Sequence, residues 1–329
     1  MLDQQLYACV GENLDALATL DLRGNGMLRA LYRVARERQG APLTLSAARA
    51  LRDRVGAGDR VLILTGFLAP KPHPETDGPI GSAVLAAALE RGCGAVPVFV
   101  CEEEAVAVVR AGLRGAALNP APSLAEAEAV PHGAAVLPFP TEPGAASALA
   151  GAIAPAACVA VERPGANPQG QYHFAMGKNV TADIAPIDGL YRDVAAGGAL
   201  TVGVGDFGNE LGMGAIADAV RAMTPAGADC GCGCGGGTAC ETPADVTVAA
   251  SVSDWGAYAI AACLSHLCRD GRVLIDPASY RRILDGVVGA GAIDGPTGYA
   301  LPSIDAVDDS FNAALLEVMR RAALPKAGD

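Results

Sequence analysis

Six short apolar runs constrain the fold of this chain most: residues 61–65, 95–100, 134–137, 158–161, 200–204 and 246–250. Each is bounded by turn residues and built of small or branched aliphatic side chains, which is how a buried strand reads. Helix-like segments at 82–90, 102–111, 145–153 and 212–223 separate most of them. Strands alternating with helices imply parallel pairing and right-handed crossovers. Ahead of the first run the chain reads as helical. Leu14, Leu17 and Leu20 recur at helical spacing, as do Met27, Leu31 and Val34. A third segment starts near Thr44 or Ser46, either a good N-cap, and stops at Gly56. Helices return at 255–268, 277–287 and 311–323. The expectation is an α/β protein with a mainly parallel sheet flanked by helices in three layers. A helical N-terminal segment, 1–58, packs on an α/β catalytic domain, 59–329, the two forming one continuous unit.

Composition narrows the function. The 329 residues are 51% hydrophobic and 18% charged, enough for a substantial core. A net charge of −12 excludes the basic face that a nucleic-acid binder needs, but leaves room for a small anionic substrate. Residues 1–10 carry Asp3 and no basic cluster, so no secretory signal is read there. The uncharged stretch 143–161 approaches membrane-span length. It is rich in Ala and Gly, Pro155 interrupts it, and it reads as a short helix followed by a strand rather than a membrane segment. Ten cysteines, several of them in apolar runs, suit reduced thiols in a cytoplasmic compartment. The oligomeric state stays open, a homo-oligomer included.

In an open parallel sheet, ligands bind beyond the C-terminal strand ends, so the residues after each run matter most. The loop 65–79 offers Lys71, His73, Glu75 and Asp77 along a proline-braced path. The loop 162–178 opens with Glu162 and Arg163 and continues through Asn167, Tyr172, His173 and Lys178. Arg163 is suited to hold a carboxylate bidentately, with Lys178 as a second cation. The first loop also reads as a proline-braced surface turn, and Glu162 with Arg163 as a local surface pair. Residues 203–208 satisfy G-x-G-x-x-G, yet Asp206 and Glu210 place negative charge where a pyrophosphate needs free N–H groups. Gly205 and Gly208 flank Asp206, and Asn209 follows. Carboxylates and an amide on a glycine turn suit a divalent cation, an ammonium group or proton transfer better than a dinucleotide. Ser253 or Asp254 is a competent N-cap for the next helix, and Trp255 belongs to the core or to the pocket. The segment Cys230-Gly-Cys-Gly-Cys234 does not have a standard zinc spacing and reads as a glycine loop with incidental thiols, with metal or cluster binding as the lesser alternative.

Three of these blocks in order, 75–79, 205–214 and 252–256, resemble motifs of the D-glutamate cyclase family. Glu162-Arg-Pro-Gly165, with Gly170, Tyr172, Met176 and Gly177 behind it, resembles a fourth. The likeness runs from about Leu14 to Asp294. Phe207 stands where the family usually has glycine, and Asp254 where it often has asparagine. The cysteine loop also departs from the family pattern, and an additional hydro-lyase-like domain carried by some members is not in this sequence. The resemblance implies cyclisation of D-glutamate to 5-oxo-D-proline with loss of water. That chemistry needs a base for the ammonium, an acid for the γ-carboxylate and a clamp on the α-carboxylate.

The residues expected to act are Asp206, Glu210, Glu75 and Asp77, as acid–base groups or as ligands of a divalent cation (Mg or Mn). Glu162, Arg163, Asn167, Tyr172, Lys178, Gly205, Gly208, Asn209, Ser253, Asp254 and Trp255 are expected to bind substrate. No organic cofactor is expected. The rival readings are a metal-dependent hydrolase or lyase on another small carboxylate, and a non-catalytic amino-acid or nucleotide-binding module.

Overall fold

A computed structural model of the chain describes residues 2–68, 71–142 and 144–324. Its centre is a seven-stranded, all-parallel sheet of β1 (Arg60–Thr65), β2 (Val96–Cys101), β3 (Asn119–Ala121), β4 (Gly133–Pro138), β5 (Ala157–Val161), β6 (Leu200–Gly205) and β7 (Val246–Ala249). The spatial order is β3-β4-β2-β1-β5-β6-β7. From β1 the chain builds outward through β2 to β4 and the edge strand β3. It then returns to the other side of β1 and builds outward again through β5, β6 and β7. The loops after β1 and β5 therefore leave neighbouring strands in opposite directions, and they open a crevice at that switch point.

Side-chain alternation divides the interior into two clusters. Val61, Ile63, Val159 and Val161 face one side, whereas Leu62, Leu64, Cys158 and Ala160 face the other. The second side is covered by α6 (Leu124–Ala129), α7 (Ala145–Ile153) and α8 (Asp188–Ala196). The first side carries a thicker layer. It contains α1 (Leu2–Ala18), α2 (Met27–Gln39), α3 (Leu43–Arg54), α4 (Pro79–Cys93), α5 (Glu103–Gly115), α10 (Ser253–Cys268), α11 (Pro277–Gly289) and α12 (Asp309–Ala323). The short α9 (Ala217–Met223) completes the helices among the described residues. The three-layer α/β architecture and the helical N-terminal segment are as the sequence indicates.

Helix α10 is buried from Ser253 to Leu267, so it is apolar on all sides and shows little amphipathic pattern. It packs on α4, which is buried from Pro79 to Leu89, and on α1, α3 and α12. A small hairpin, β8 (Ser303–Ile304) and β9 (Val307–Asp308), turns through Asp305 and Ala306, at φ 53° and 62°. Two consecutive left-handed residues are the signature of a type I′ turn, and here they aim Asp305 back at the sheet.

Three helices are capped by carboxylates distant in sequence. Helix α3 begins at Leu43 after Pro42, not at a Thr44 or Ser46 cap. The Asp15 carboxylate accepts from Leu43 N (2.7 Å) and Thr44 N (3.0 Å). Nor does Ser253 or Asp254 cap α10, since both lie within its first turn. Asp77 accepts from Ser253 N at 3.0 Å and Asp254 N at 2.8 Å. Asp254 in turn accepts from Gly78 N at 2.9 Å and Gly81 N at 2.6 Å, at the start of α4.

Candidate active site

The loops after β1, β5 and β6 meet over the C-terminal end of the sheet around a cavity of about 490 Å³. Glu75, Glu162, Asp206 and Asp305 line it, with Arg23 and Lys178 as its cations and Asn209 between them. Phe67, Phe174 and Phe207 supply apolar wall, Phe67 and Phe174 stacking at 5.0 Å between centroids.

Glu162 leaves the end of β5 with φ 46°, a left-handed conformation that a glutamate adopts at a cost of about 1–3 kcal/mol. Such strain persists where surroundings over-determine it. The Glu162 carboxylate accepts from Ser253 Oγ at 2.6 Å. Gly78, at φ 94°, lies so close that a Cβ there would stand 2.9 Å from Glu162 Cβ. On the neighbouring turn the Glu210 carboxylate folds back on its own backbone. It accepts from Phe207 N at 3.0 Å, Gly208 N at 2.7 Å and, more loosely, Asp206 N at 3.3 Å. Those are the N–H groups that a phosphate would need, so the G-x-G-x-x-G turn is filled by its own glutamate. Gly208 adopts φ 94°, whereas Gly205 is required by closeness: a Cβ there would stand 2.5 Å from Glu210 Oε2.

Asp206 projects into the cavity and accepts from both terminal nitrogens of Arg23 at 3.0 Å. Arg23 also donates to Asp305 at 2.5 Å, and its guanidinium carbon stands 4.4 Å from the centre of the Phe207 ring. Phe207, the residue that departs from the family glycine, thus props the arginine. The Asn209 side-chain nitrogen donates to His173 O at 3.1 Å. Its buried Oδ1 has no hydrogen-bond partner among the described residues and is a ready acceptor for a ligand N–H.

Burial, reinforced by mutual repulsion, holds Glu75, Asp77, Glu162 and Asp206 well above the usual carboxylate range. Burial also raises Asp305, against the pull of Arg23. Asp254 is pushed up to about 7 by burial, with the N–H groups of Gly81 and Gly78 working against it. Raised proton affinities gathered in one cleft mark a candidate site for proton transfer.

Two carboxylate groups could bind a cation, Asp77 with Asp206 and Asp305, and Glu162 with Asp206 and Glu210. In each, the ligand atoms lie within 4.8 Å of one another. The quartet Glu75, Asp77, Asp206 and Glu210 expected from sequence is split: Asp206 belongs to both groups and Glu75 to neither.

Of the expected substrate contacts, Glu162, Lys178 and Asn209 line the cavity. Arg163 does not. Its guanidinium is fully buried, paired with Glu102 at 2.6 and 2.8 Å, and it donates to Gly66 O and Ala185 O. It joins the segments after β5, β1 and β2 as a brace across the switch point. Tyr172 donates to Asp188 at 2.7 Å, and Asn167 donates to Gly237 O at 2.7 Å, both beside a separate groove. Trp255 donates to Asn312 at 2.7 Å within the core. Asp77 and Asp254 lie behind the cavity wall, where they fix helix ends, and Ser253 holds the Glu162 carboxylate from there.

Two groups at the cavity were not anticipated from sequence. Arg23 lies in the turn between α1 and α2, and Asp305 on the hairpin. The signal for Asp305 was the tight Asp-Ala turn between two short extended pairs. Arg23 left none beyond a lone cation among turn residues.

An α/β scaffold with a proton-rich carboxylate cavity at its switch point describes the class. Residues 14–320 match the family described as "D-glutamate cyclase-like, C-terminal", and the chain belongs to that family. Among curated proteins it is similar to "D-glutamate cyclase, mitochondrial" of Homo sapiens, 32% identical over 285 residues. That match takes in 80% of this chain and 39% of the relative, so the chain spans about two fifths of the relative's length. No helix among the described residues is long and apolar enough to cross a membrane.

Proposed function

We propose that the chain is a D-glutamate cyclase-like lyase, closing D-glutamate to 5-oxo-D-proline and water. The carrying observation is the grouping of Glu75, Glu162 and Asp206, all with raised proton affinity, around one cavity that also holds Arg23 and Lys178.

The reaction needs such a set. The substrate ammonium gives up two protons on its way to the lactam nitrogen. The departing γ-oxygen takes up two and leaves as water, so the site ends with the protons it began with. Asp206, ionised beside Arg23, takes the first proton and frees the amine to attack the γ-carbon. Asn209 Oδ1 accepts an N–H from the same amine and orients it. Glu162, protonated by virtue of its burial, donates to the γ-oxygen as the C–O bond breaks, and Glu75 passes the second proton across. Arg23 and Lys178 attract the substrate's two carboxylates. Glu210, Asp77 and Asp254 keep the turn and helix ends in place. The oxygen-only donor sets also suit a hard divalent cation such as Mg or Mn, which Glu162, Asp206 and Glu210 would hold in their ionised forms, in place of the proton on Glu162. Bound there, the ion would supply Lewis acidity at the γ-carboxyl.

The test is incubation with D-glutamate and, separately, L-glutamate, with and without divalent ions, followed by chiral detection of 5-oxoproline. The expected product is 5-oxo-D-proline from the D-isomer. Absence of that product over the whole neutral range, with and without ions, would overturn the assignment.

A further inference from the structure

The glycine loop that the sequence left without a role converges on a histidine. His173 Nε2 lies 3.3 Å from Cys232 Sγ and 3.9 Å from Cys234 Sγ. Cys230 Sγ lies 3.0 Å from Cys232 Sγ and 3.4 Å from Cys234 Sγ. All four ligand atoms fall within 4.8 Å of one another. A tetrahedral zinc ion, with bonds of about 2.3 Å to sulfur and about 2.0 Å to nitrogen, spaces its ligands roughly 3.5–3.8 Å apart. The observed separations bracket that figure.

The backbone explains how alternate cysteines achieve this. In an extended strand, residues two apart sit roughly 6.5–7 Å from one another along one face. Here Gly231, Gly233 and Gly235 adopt φ of 72°, 88° and 74°. Left-handed glycines between the cysteines coil the loop, so the three thiols gather around one point instead of lining a ridge. The sulfurs also have N–H donors. Asn167 Nδ2 and Gly236 N each stand 3.4 Å from Cys234 Sγ, and Asn179 Nδ2 stands 3.8 Å from Cys232 Sγ. Such donors orient and stabilise metal-bound thiolates.

We propose that His173, Cys230, Cys232 and Cys234 form a structural site for a thiophilic divalent cation, zinc in the first place. Three thiolates and an imidazole fill a tetrahedron from the protein alone and leave no open position for a substrate. Binding releases the thiol protons to solvent. The ion fastens the 230–234 loop to the start of the cavity wall, because Phe174, Met176 and Lys178 follow His173 directly. Asn209, which also lines the cavity, already donates to His173 O. The competing use of close thiols is a disulfide, but pairing Cys230 with Cys232 would leave Cys234 and His173 gathered for no purpose.

The test does not depend on catalysis. Full-length protein purified under reducing conditions is expected to carry about one zinc per chain. After stripping with a chelator it should take up cobalt, giving a thiolate-to-cobalt charge-transfer band and the strong visible absorption of a tetrahedral ion. Cys234→Ser and His173→Ala should weaken both features, whereas Cys9→Ser, at an exposed thiol, should leave them unchanged. If a cluster variant fails to fold, the wild-type protein still decides. Zinc should protect Cys230, Cys232 and Cys234 from alkylation, mapped by mass spectrometry, and chelation should expose them. Reduced protein with neither zinc nor a cobalt spectrum, alkylation indifferent to zinc, or a quantitative Cys230–Cys232 disulfide would each overturn the proposal.

Discussion

Asp77 and Asp254 exchange caps: Asp77 accepts the first backbone N–H groups of the helix that carries Asp254, and Asp254 accepts those of the helix that follows Asp77. Two helix N-termini meet at this pair, and each presents partial positive charge to the other's carboxylate. The arrangement shows how two buried acids can lie side by side behind the cavity. It also links α4 and α10, the most deeply buried helices, to the loop that carries Glu75.

Asp254→Ala should therefore destabilise the fold by about 1–3 kcal/mol, leaving Gly81 N buried without its acceptor and Gly78 N with Asp77 alone. Asp254→Asn keeps an acceptor oxygen for them, relieves repulsion with Asp77 and should cost much less. Denaturant unfolding of the two variants checks this. Equal losses would mean that charge rather than capping is what the position supplies.

The raised carboxylates predict an inverted pH dependence of stability. A group whose proton affinity is higher folded than unfolded stabilises fully below its unfolded pKa, and that contribution is lost as pH climbs to the folded value. For Asp254 the window runs from the ordinary aspartate value of 3.8 to about 7. Glu75, Asp77, Glu162 and Asp206 shift in the same direction and add to the loss. Melting temperature should fall between about pH 4 and pH 7, and the slope should flatten in Glu162→Gln. A flat or rising profile, with no flattening in the variant, would show that the cluster does not bind protons this strongly.

How much of this was legible in the sequence depended on range. Strands β1, β2, β4, β5, β6 and β7 were readable because burial on both faces makes them continuous apolar runs. Strand β3, Asn119-Pro-Ala, is too short and too polar at its start to show a pattern, and it occupies the sheet edge where Pro is tolerated. Helix α8 was lost inside a long loop behind Pro186. The caps were misread for one reason: the residues chosen, Thr44, Ser46, Ser253 and Asp254, were local, whereas the carboxylates that cap come from far along the chain. The same limit hid the site's arginine. Arg23 meets Asp206 across 183 residues and Asp305 across 282. Arg163 beside Glu162 looked like the substrate clamp, because adjacency in sequence says nothing of which way consecutive side chains point. In the cysteine loop nothing in C-x-C-x-C announces that the intervening glycines will coil and gather the thiols beside His173.

Arg163 gives a clean test of brace against clamp. Breaking a buried ion pair leaves an uncompensated charge and costs about 3–5 kcal/mol, so Arg163→Met should be severely destabilised. Removing Glu102 as well, in Arg163→Met/Glu102→Leu, should recover much of that loss. Arg163→Lys should lose stability while KM for D-glutamate stays within about twofold, as expected when no contact to bound substrate is lost. A variant as stable as the wild type whose KM rises tenfold or more would return Arg163 to the substrate.

Arg23 is the residue where geometry and chemistry can be separated most sharply. Burial and the nearby Asp305 raise the Asp206 proton affinity, and the Arg23 charge opposes them. Removing that charge must therefore raise it further. If Asp206 is the base that frees the substrate amine, activity requires its ionised form, and the acid limb of the pH–rate profile reports its pKa. Arg23→Gln should thus move the acid limb to higher pH and, at a fixed neutral pH, lower kcat by more than tenfold. Raising the pH should recover part of that loss. Asp206→Asn removes the base itself, so its loss, about a hundredfold or more, should not be recovered at any pH. The pair of profiles also separates chemistry from folding, because a destabilised variant loses activity without shifting its limb. Were Arg23→Gln to lower kcat equally across the whole pH range, Arg23 would be acting on substrate alone. The base would then be sought at Glu162 or Glu75.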